Sequence, residues 1–135
     1  MSLDPRGPRF SAGLTTIVFV VVLLTGNGWL ALAQAAVFAI GAYDPRLTPY
    51  GLLYRYAVAP RLGPPAERED GAPVRFAQAV GLAFAVLTVV GYLSGTTALG
   101  VVGASFALVA AFLNAVFGLC LGCEAYLLIK RLRTA

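Results

Sequence analysis

Histidine is absent from this sequence, cysteine occurs twice, and tryptophan and methionine occur once each. Without imidazole there is no Ser-His or Cys-His relay, no zinc-hydrolase ligand set and no haem held through histidine. Arginine, carboxylate and thiol groups are left to carry any chemistry. Charge is also scarce, at 12% of residues, about half the share of an ordinary soluble domain. No carboxylate or lysine stands midway along any apolar run, so a proton-coupled pump lacks its relay. A chain of 135 residues has no room for a separate soluble catalytic domain beside those runs.

What fills the chain instead is apolar: 59% hydrophobic residues and a mean hydropathy of +0.82. The first apolar block runs from Phe10 to Ala42 and is broken only by Gly26-Asn27-Gly28. As one helix it would measure about 50 Å, against a hydrocarbon core of about 30 Å. It must therefore turn back at Gly-Asn-Gly, where positive φ is tolerated. Trp29 then falls at an interface, where indole rings prefer to lie. The second block starts at Val74, is interrupted at Ser94-Gly95-Thr96-Thr97 and continues through Ile129. The spans expected are 11–25, 28–42, 74–93 and 99–120, with a loop at 43–73 and a tail at 124–135. The fold class is all-α: an integral membrane bundle of four transmembrane helices in two hairpins, forming a single membrane domain. A cleaved leader is the competing reading of the first run, because Arg6 and Arg9 precede it and Ala31-Leu32-Ala33 resembles a cleavage site. Asp4 and the apolar stretch beyond that point favour a permanent span.

All ten Lys and Arg residues (Arg6, Arg9, Arg46, Arg55, Arg61, Arg68, Arg75, Lys130, Arg131 and Arg133) fall on one side of this layout. Positive charge in short loops stays cytoplasmic, so both termini and the 43–73 loop are expected there. The net charge of +4 is accounted for by that topology rather than by nucleic acid. Arg9-Phe10-Ser11-Ala12 and Arg75-Phe76-Ala77-Gln78 open the two blocks as a short internal repeat, which makes the duplication parallel rather than inverted.

In the central loop Thr48 is a helix cap and Pro49 fits the first helical position. Tyr50, Leu52, Leu53, Tyr54, Tyr56 and Val58, with Arg55 among them, make a short amphipathic stretch suited to the headgroup layer or to docking a partner. Asp44-Pro45-Arg46 repeats Asp4-Pro5-Arg6. Arg6, Arg9, Arg46 and Arg75 are therefore candidates for holding lipid phosphates, or for a basic vestibule that takes an anion.

The two cysteines form Cys120-Leu121-Gly122-Cys123, at a spacing that puts both on one helix face within disulfide reach. They are the candidate catalytic residues. Their expected place near a helix C-terminus, beside Glu124, opposes thiolate formation, and arginines would have to compensate. Packing is the alternative use of such small apolar residues. Two thiols alone do not complete a metal shell, and no metal or other cofactor is indicated. The intramembrane polar residues are Gln34, Gln78 and Asn114, read as interhelical hydrogen-bonding groups in preference to substrate ligands. Gly103, Ala107, Ala111, Ala115, Gly118 and Gly122 form a small-residue stripe for close helix packing, within the bundle or across a homo-oligomer.

The Asp4-Pro5-Arg6-Gly7-Pro8-Arg9-Phe10 opening, Val74-Arg75-Phe76-Ala77-Gln78 and the Cys-Leu-Gly-Cys ending together resemble a family of small bacterial integral membrane proteins catalogued only as a domain of unknown function. The resemblance spans nearly the whole chain. It implies a bacterial inner-membrane location and, as partners, thioredoxin-like proteins and rhodanese-type sulfurtransferases. It carries over no catalytic residues. The function expected from the thiol pair is thiol-disulfide or sulfane-sulfur exchange with such a cytoplasmic partner. The alternatives are a non-enzymatic assembly subunit and a permeation protein for a small anion such as thiosulfate.

Overall fold

The computed structural model of the chain describes residues 2–3, 6–44, 47–62, 69–117 and 121–134. Its helices are α1 (Arg6–Thr25), α2 (Gly28–Tyr43), α3 (Pro49–Leu53), α4 (Ala59–Leu62), α5 (Gly71–Leu93), α6 (Thr97–Phe117) and α7 (Leu121–Thr134). A π-helical turn, Tyr54–Val58, joins α3 to α4. A two-residue antiparallel ladder pairs β1 (Ser2–Leu3) with β2 (Glu69–Asp70).

Three segments are long and apolar enough to cross a bilayer: Gly7–Thr25, Ala72–Leu93 and Thr97–Phe117. The segment expected as the remaining span is the helix α2, with nearly the bounds read from the sequence, but its 16 residues extend only about 24 Å, so it is a shorter apolar helix than the other three. α1 starts five residues earlier than expected and takes in Pro8, since a helix's first turn has N–H groups to spare. α5 likewise starts at Gly71 rather than Val74, which shortens the central loop.

The breaks between long helices fall where glycine permits them. Gly26 has φ 66° and Gly95 has φ 87°, conformations that cost other residues steric strain. Asn27 then caps α2, its side chain accepting from the Trp29 N–H at 3.0 Å and the Leu30 N–H at 3.2 Å. Thr48 caps α3 as its sequence indicates, accepting from the Gly51 N–H at 2.9 Å with Pro49 next in the chain. The helical run continues past Leu53 to Leu62, longer than the amphipathic stretch suggested. Pro60 has no N–H to extend an α ladder, and the turn before it widens into the π form.

α2 packs chiefly on α5, α1 on α6 and α5 on α6, while α1 and α2 touch only lightly. The core is built of Phe19, Val22, Ala31, Ala35, Ala85, Ala104 and Ala107. Small residues set the spacing of the α5 and α6 backbones: Gly91 lies directly on the backbone of Gly100, and Gly103 lies on Thr88. Gly103 and Ala107 of the expected stripe thus face neighbours within this chain.

The final helix departs from the sequence reading. α5 and α6 run antiparallel with matched advance, from Gly91 on Gly100 through Thr88 on Gly103 to Phe84 stacked on Phe106 at 5.9 Å. Continued at equal rise, that register would set about residue 113 against Ala77. Gly122 stands there instead, so close that a Cβ on it would come within 2.6 Å of the Ala77 Cα. α7 is therefore a separate helix packed on the start of α5. The single long helix expected through Ile129, with residues from 124 onward as a tail, is not formed.

The Arg-Phe repeat recurs as paired contacts. The Phe10 ring meets Tyr54 at 5.8 Å and 44°, and the Phe76 ring meets Tyr126 at 5.7 Å and 49°. Each long helix that opens on Arg-Phe thus braces an aromatic residue from the helical segment beyond its own partner helix.

Candidate functional site

At the end of the bundle where α1 and α5 begin, the helices line a partly open cavity of about 260 Å³. Phe38, Phe84 and Phe106 supply aromatic wall, and Ala107, Ala110 and Ala111 leave the space because their side chains are small. The polar lining brings together residues far apart in sequence: Ser11 and Thr15 from α1, Gln34 from α2, Thr48 and Tyr50 around α3, Gln78 from α5 and Asn114 from α6. None of the described lining residues is charged.

All three amides singled out in the sequence therefore reach one place, but they do not share one role. Gln34 is 2% exposed and behaves as an interhelical hydrogen-bonding group should. Its Oε1 accepts from the Tyr50 hydroxyl at 2.7 Å, and its Nε2 reaches Thr15 Oγ1 at 3.4 Å. This ties α3 to α2, and more weakly α2 to α1. Gln78 lies across Gly41, where any Cβ would collide with its amide. Among the described residues, neither the Gln78 nor the Asn114 amide hydrogen-bonds to another protein group. The expectation of interhelical hydrogen bonding thus holds for Gln34 and not for these two.

Tyr50 is a site residue that the sequence alone does not reveal. Its place in an aromatic-rich stretch reads as a surface anchor, yet the Thr48 cap and Pro49 start α3 so that Tyr50 falls in its first turn and points into the bundle. The cap was the legible signal. Burial of its phenol raises its pKa above the ordinary 10.0. Tyr54, also expected at the surface, is 5% exposed. Tyr56 and Leu53 remain exposed, and the Arg55 guanidinium lies 6.0 Å from the Tyr56 ring centre.

Two of the four candidate arginines are held by helix ends. Arg9 donates through one guanidinium nitrogen to the carbonyls of Ala115 and Val116, both at 3.3 Å, at the end of α6. Arg75 donates through Nε to the carbonyl of Ala42, at 3.2 Å, at the end of α2. Helix C-termini carry unsatisfied carbonyls and partial negative charge, so they draw cations. Neither arginine lines the cavity. Arg6 opens α1; its side chain and the whole of Arg46 lie outside the described residues.

The thiol pair is described in part. Cys120 lies outside the described residues. Cys123 is half-buried in the first turn of α7 and is not a free thiol. Its helix context reverses the expected one, because a break in register places Cys123 near a helix start, the end that favours negative charge. Glu124 lies in that same first turn. The neighbouring Gly122 lines the cavity. No group of three or more His, Cys, Asp or Glu side chains suited to a metal ion occurs among the described residues.

The chain belongs to the family described as Domain of unknown function (DUF4395), whose profile matches residues 3–131. No curated protein and no solved structure matches it.

Proposed function

We propose that this member of the DUF4395 family is a four-span inner-membrane protein whose Cys120 and Cys123 exchange electrons or sulfane sulfur with a cytoplasmic thioredoxin-like or rhodanese-type protein. Three long apolar helices support membrane residence. A crossing by α2 is supported by its course along α5. Gly28 packs on Leu93 at one end, and at the other Gly41 packs on Gln78 and Ala42 receives Arg75. α2 thus runs nearly the depth of its neighbour. Trp29 and Tyr43, both largely exposed near its ends, suit the two interfaces of a bilayer that thins to meet it. Basic residues gather where α1 and α5 begin and the turns at Gly26 and Gly95 carry none, which supports cytoplasmic termini.

The observation that carries the redox reading is Cys123 in the first turn of α7, not free, three residues from the chain's one other cysteine. In the exchange, a thiolate of the reduced pair attacks a disulfide of the partner and forms a mixed disulfide. The second thiol attacks the bridging sulfur, leaving the pair oxidised and the partner a dithiol. The two electrons and the displaced thiolates are thereby accounted for.

Thiol trapping in native membranes tests this, comparing wild type with Cys120→Ser and Cys123→Ser. A mixed disulfide or persulfide on one single variant is the expected result. A pair that never oxidises, persulfidates or forms a mixed disulfide rejects the reading in favour of a non-enzymatic assembly subunit. A permeation path for a small anion draws less support, because Arg9 and Arg75 are bonded to backbone carbonyls and the described lining residues of the cavity include no cation. A homo-oligomer remains compatible with the outward-facing Val109, Phe112 and Val116 of α6.

A further inference from the structure

The cavity among α1, α2, α5, α6 and α7 has chemistry that the thiol reading does not use. We infer that it is a binding site for an uncharged quinone-type ring drawn from the lipid phase, with Gln78 and Asn114 as its hydrogen-bonding partners. The inference stands on the cavity alone and does not require the cysteines to be reactive.

Charge decides the first point. With no cationic or anionic side chain among its described lining residues, the cavity offers an ion no compensation for lost hydration. The ligand is therefore neutral. The walls decide the second. They are mostly aliphatic and aromatic, with Phe38, Phe84 and Phe106 among them, which disfavours a small, heavily hydroxylated solute and suits a flat ring. The volume, about 260 Å³, lies just under the usual range for small-molecule pockets. It fits a ring headgroup rather than a whole lipid.

Hydrogen bonding decides the third. The Gln78 and Asn114 amides line the cavity with no protein hydrogen bond, and each offers an N–H₂ donor and a carbonyl acceptor. The Tyr50 hydroxyl has already given its hydrogen to Gln34 and presents only an acceptor. A quinone carbonyl accepts from an amide N–H₂. The corresponding quinol donates to the amide oxygen or to Tyr50. The two amides therefore hold either form by rotating, which a lysine or a carboxylate in the same place would not do. Both amides are half-buried, so a ligand that hydrogen-bonds to both has a specific source of affinity and orientation.

The test uses the full chain in phosphatidylcholine nanodiscs, with decylubiquinone, its quinol, decanol and thiosulfate as probes and thermal stability as the readout. Decylubiquinone and its quinol are expected to raise the melting temperature saturably, while decanol and thiosulfate do not. Gln78→Leu and Asn114→Leu are expected to weaken the apparent affinity at least tenfold each, and Cys123→Ser to leave it unchanged. An equal shift with decanol, or an unchanged affinity in Gln78→Leu/Asn114→Leu, overturns the proposal. Should the leucine variants fail to fold, photolabelling of wild type with an azidoquinone decides it. Label on the segments holding Phe38, Gln78 and Asn114 supports the site, and label spread over outward-facing residues such as Val101 and Val109 rejects it. Because Cys123→Ser is a separate arm, loss of the thiol reading and loss of this one are told apart.

Discussion

Tyr50 donates its hydroxyl hydrogen to Gln34 Oε1 across 2.7 Å, joining a helix of the central loop to the polar centre of the bundle. Gln34 is almost fully buried, so without this partner its carbonyl would stand in an apolar surround. The short helix α3 is thereby fastened to the helical bundle.

Tyr50→Phe is expected to lower stability by about 1 kcal/mol at neutral pH, the usual net worth of one such bond. The pH dependence follows from the raised phenol pKa. The folded chain keeps its proton to higher pH than the unfolded chain does. The Tyr50 contribution is accordingly whole below the ordinary value of 10.0 and is lost as pH climbs through the higher folded value. Wild type should thus lose stability in alkali more steeply than Tyr50→Phe. Thermal melts in detergent across that range check both points, and parallel curves for the two proteins contradict the assignment.

Tyr92 supplies the opposite case. Its hydroxyl is the one buried side-chain polar atom without a hydrogen-bond partner among the described residues. The ring packs beside Gly26 and Gly100 near the turns. Tyr92→Phe keeps the ring and removes an unsatisfied group whose burial costs about 1–3 kcal/mol. A higher melting temperature is the expected outcome; a clear drop would mean that the hydroxyl has a partner in the membrane.

Two glycine substitutions should separate sharply. A Cβ at Gly91 falls onto the Gly100 backbone, whereas one at Gly13 meets nothing within 4 Å. Gly91→Ala must push α5 and α6 apart and is expected to cost at least about 2 kcal/mol. Gly13→Ala should be neutral or stabilising by up to about 1 kcal/mol, through helix propensity alone. Side-by-side unfolding in the same detergent decides between this packing and a looser one.

Arg9 and Arg75 close the ends of α6 and α2 respectively, and all three of their bonds are exposed. Arg9→Gln and Arg75→Gln should each lower the melting temperature by a few degrees at most, and high salt should shrink both effects, since exposed charge at a helix end is screened. If either substitution leaves stability untouched but abolishes uptake of thiosulfate into proteoliposomes, the anion-permeation reading regains its footing.

The breaks in the chain were legible because their causes are local. A positive φ at Gly26 or Gly95 and a Thr-Pro start at Thr48-Pro49 are properties of one or two residues, and they fall where the sequence places them. The thiol environment was not legible. Nothing between Phe117 and Glu124 states that Gly122 will seat against Ala77 rather than extend α6, because that register depends on how two helices meet. The roles of the amides were only half legible: Gln34, Gln78 and Asn114 stand out as polar residues in apolar runs, but which of them finds a partner depends on Tyr50 and Thr15, from two other helices.

Composition and spacing on their own determined that lipid is the solvent, roughly where the long helices begin and end, and that cationic residues collect at one end. Those are sums over neighbouring residues or the preferences of single ones. Tertiary structure alone decided that α7 is a separate helix, that Arg9 reaches carbonyls over a hundred positions away, and that amides from three helices line one uncharged cavity. Those outcomes rest on interhelical register, and register is set by which small side chains let two backbones approach, a quantity that no stretch of sequence carries by itself.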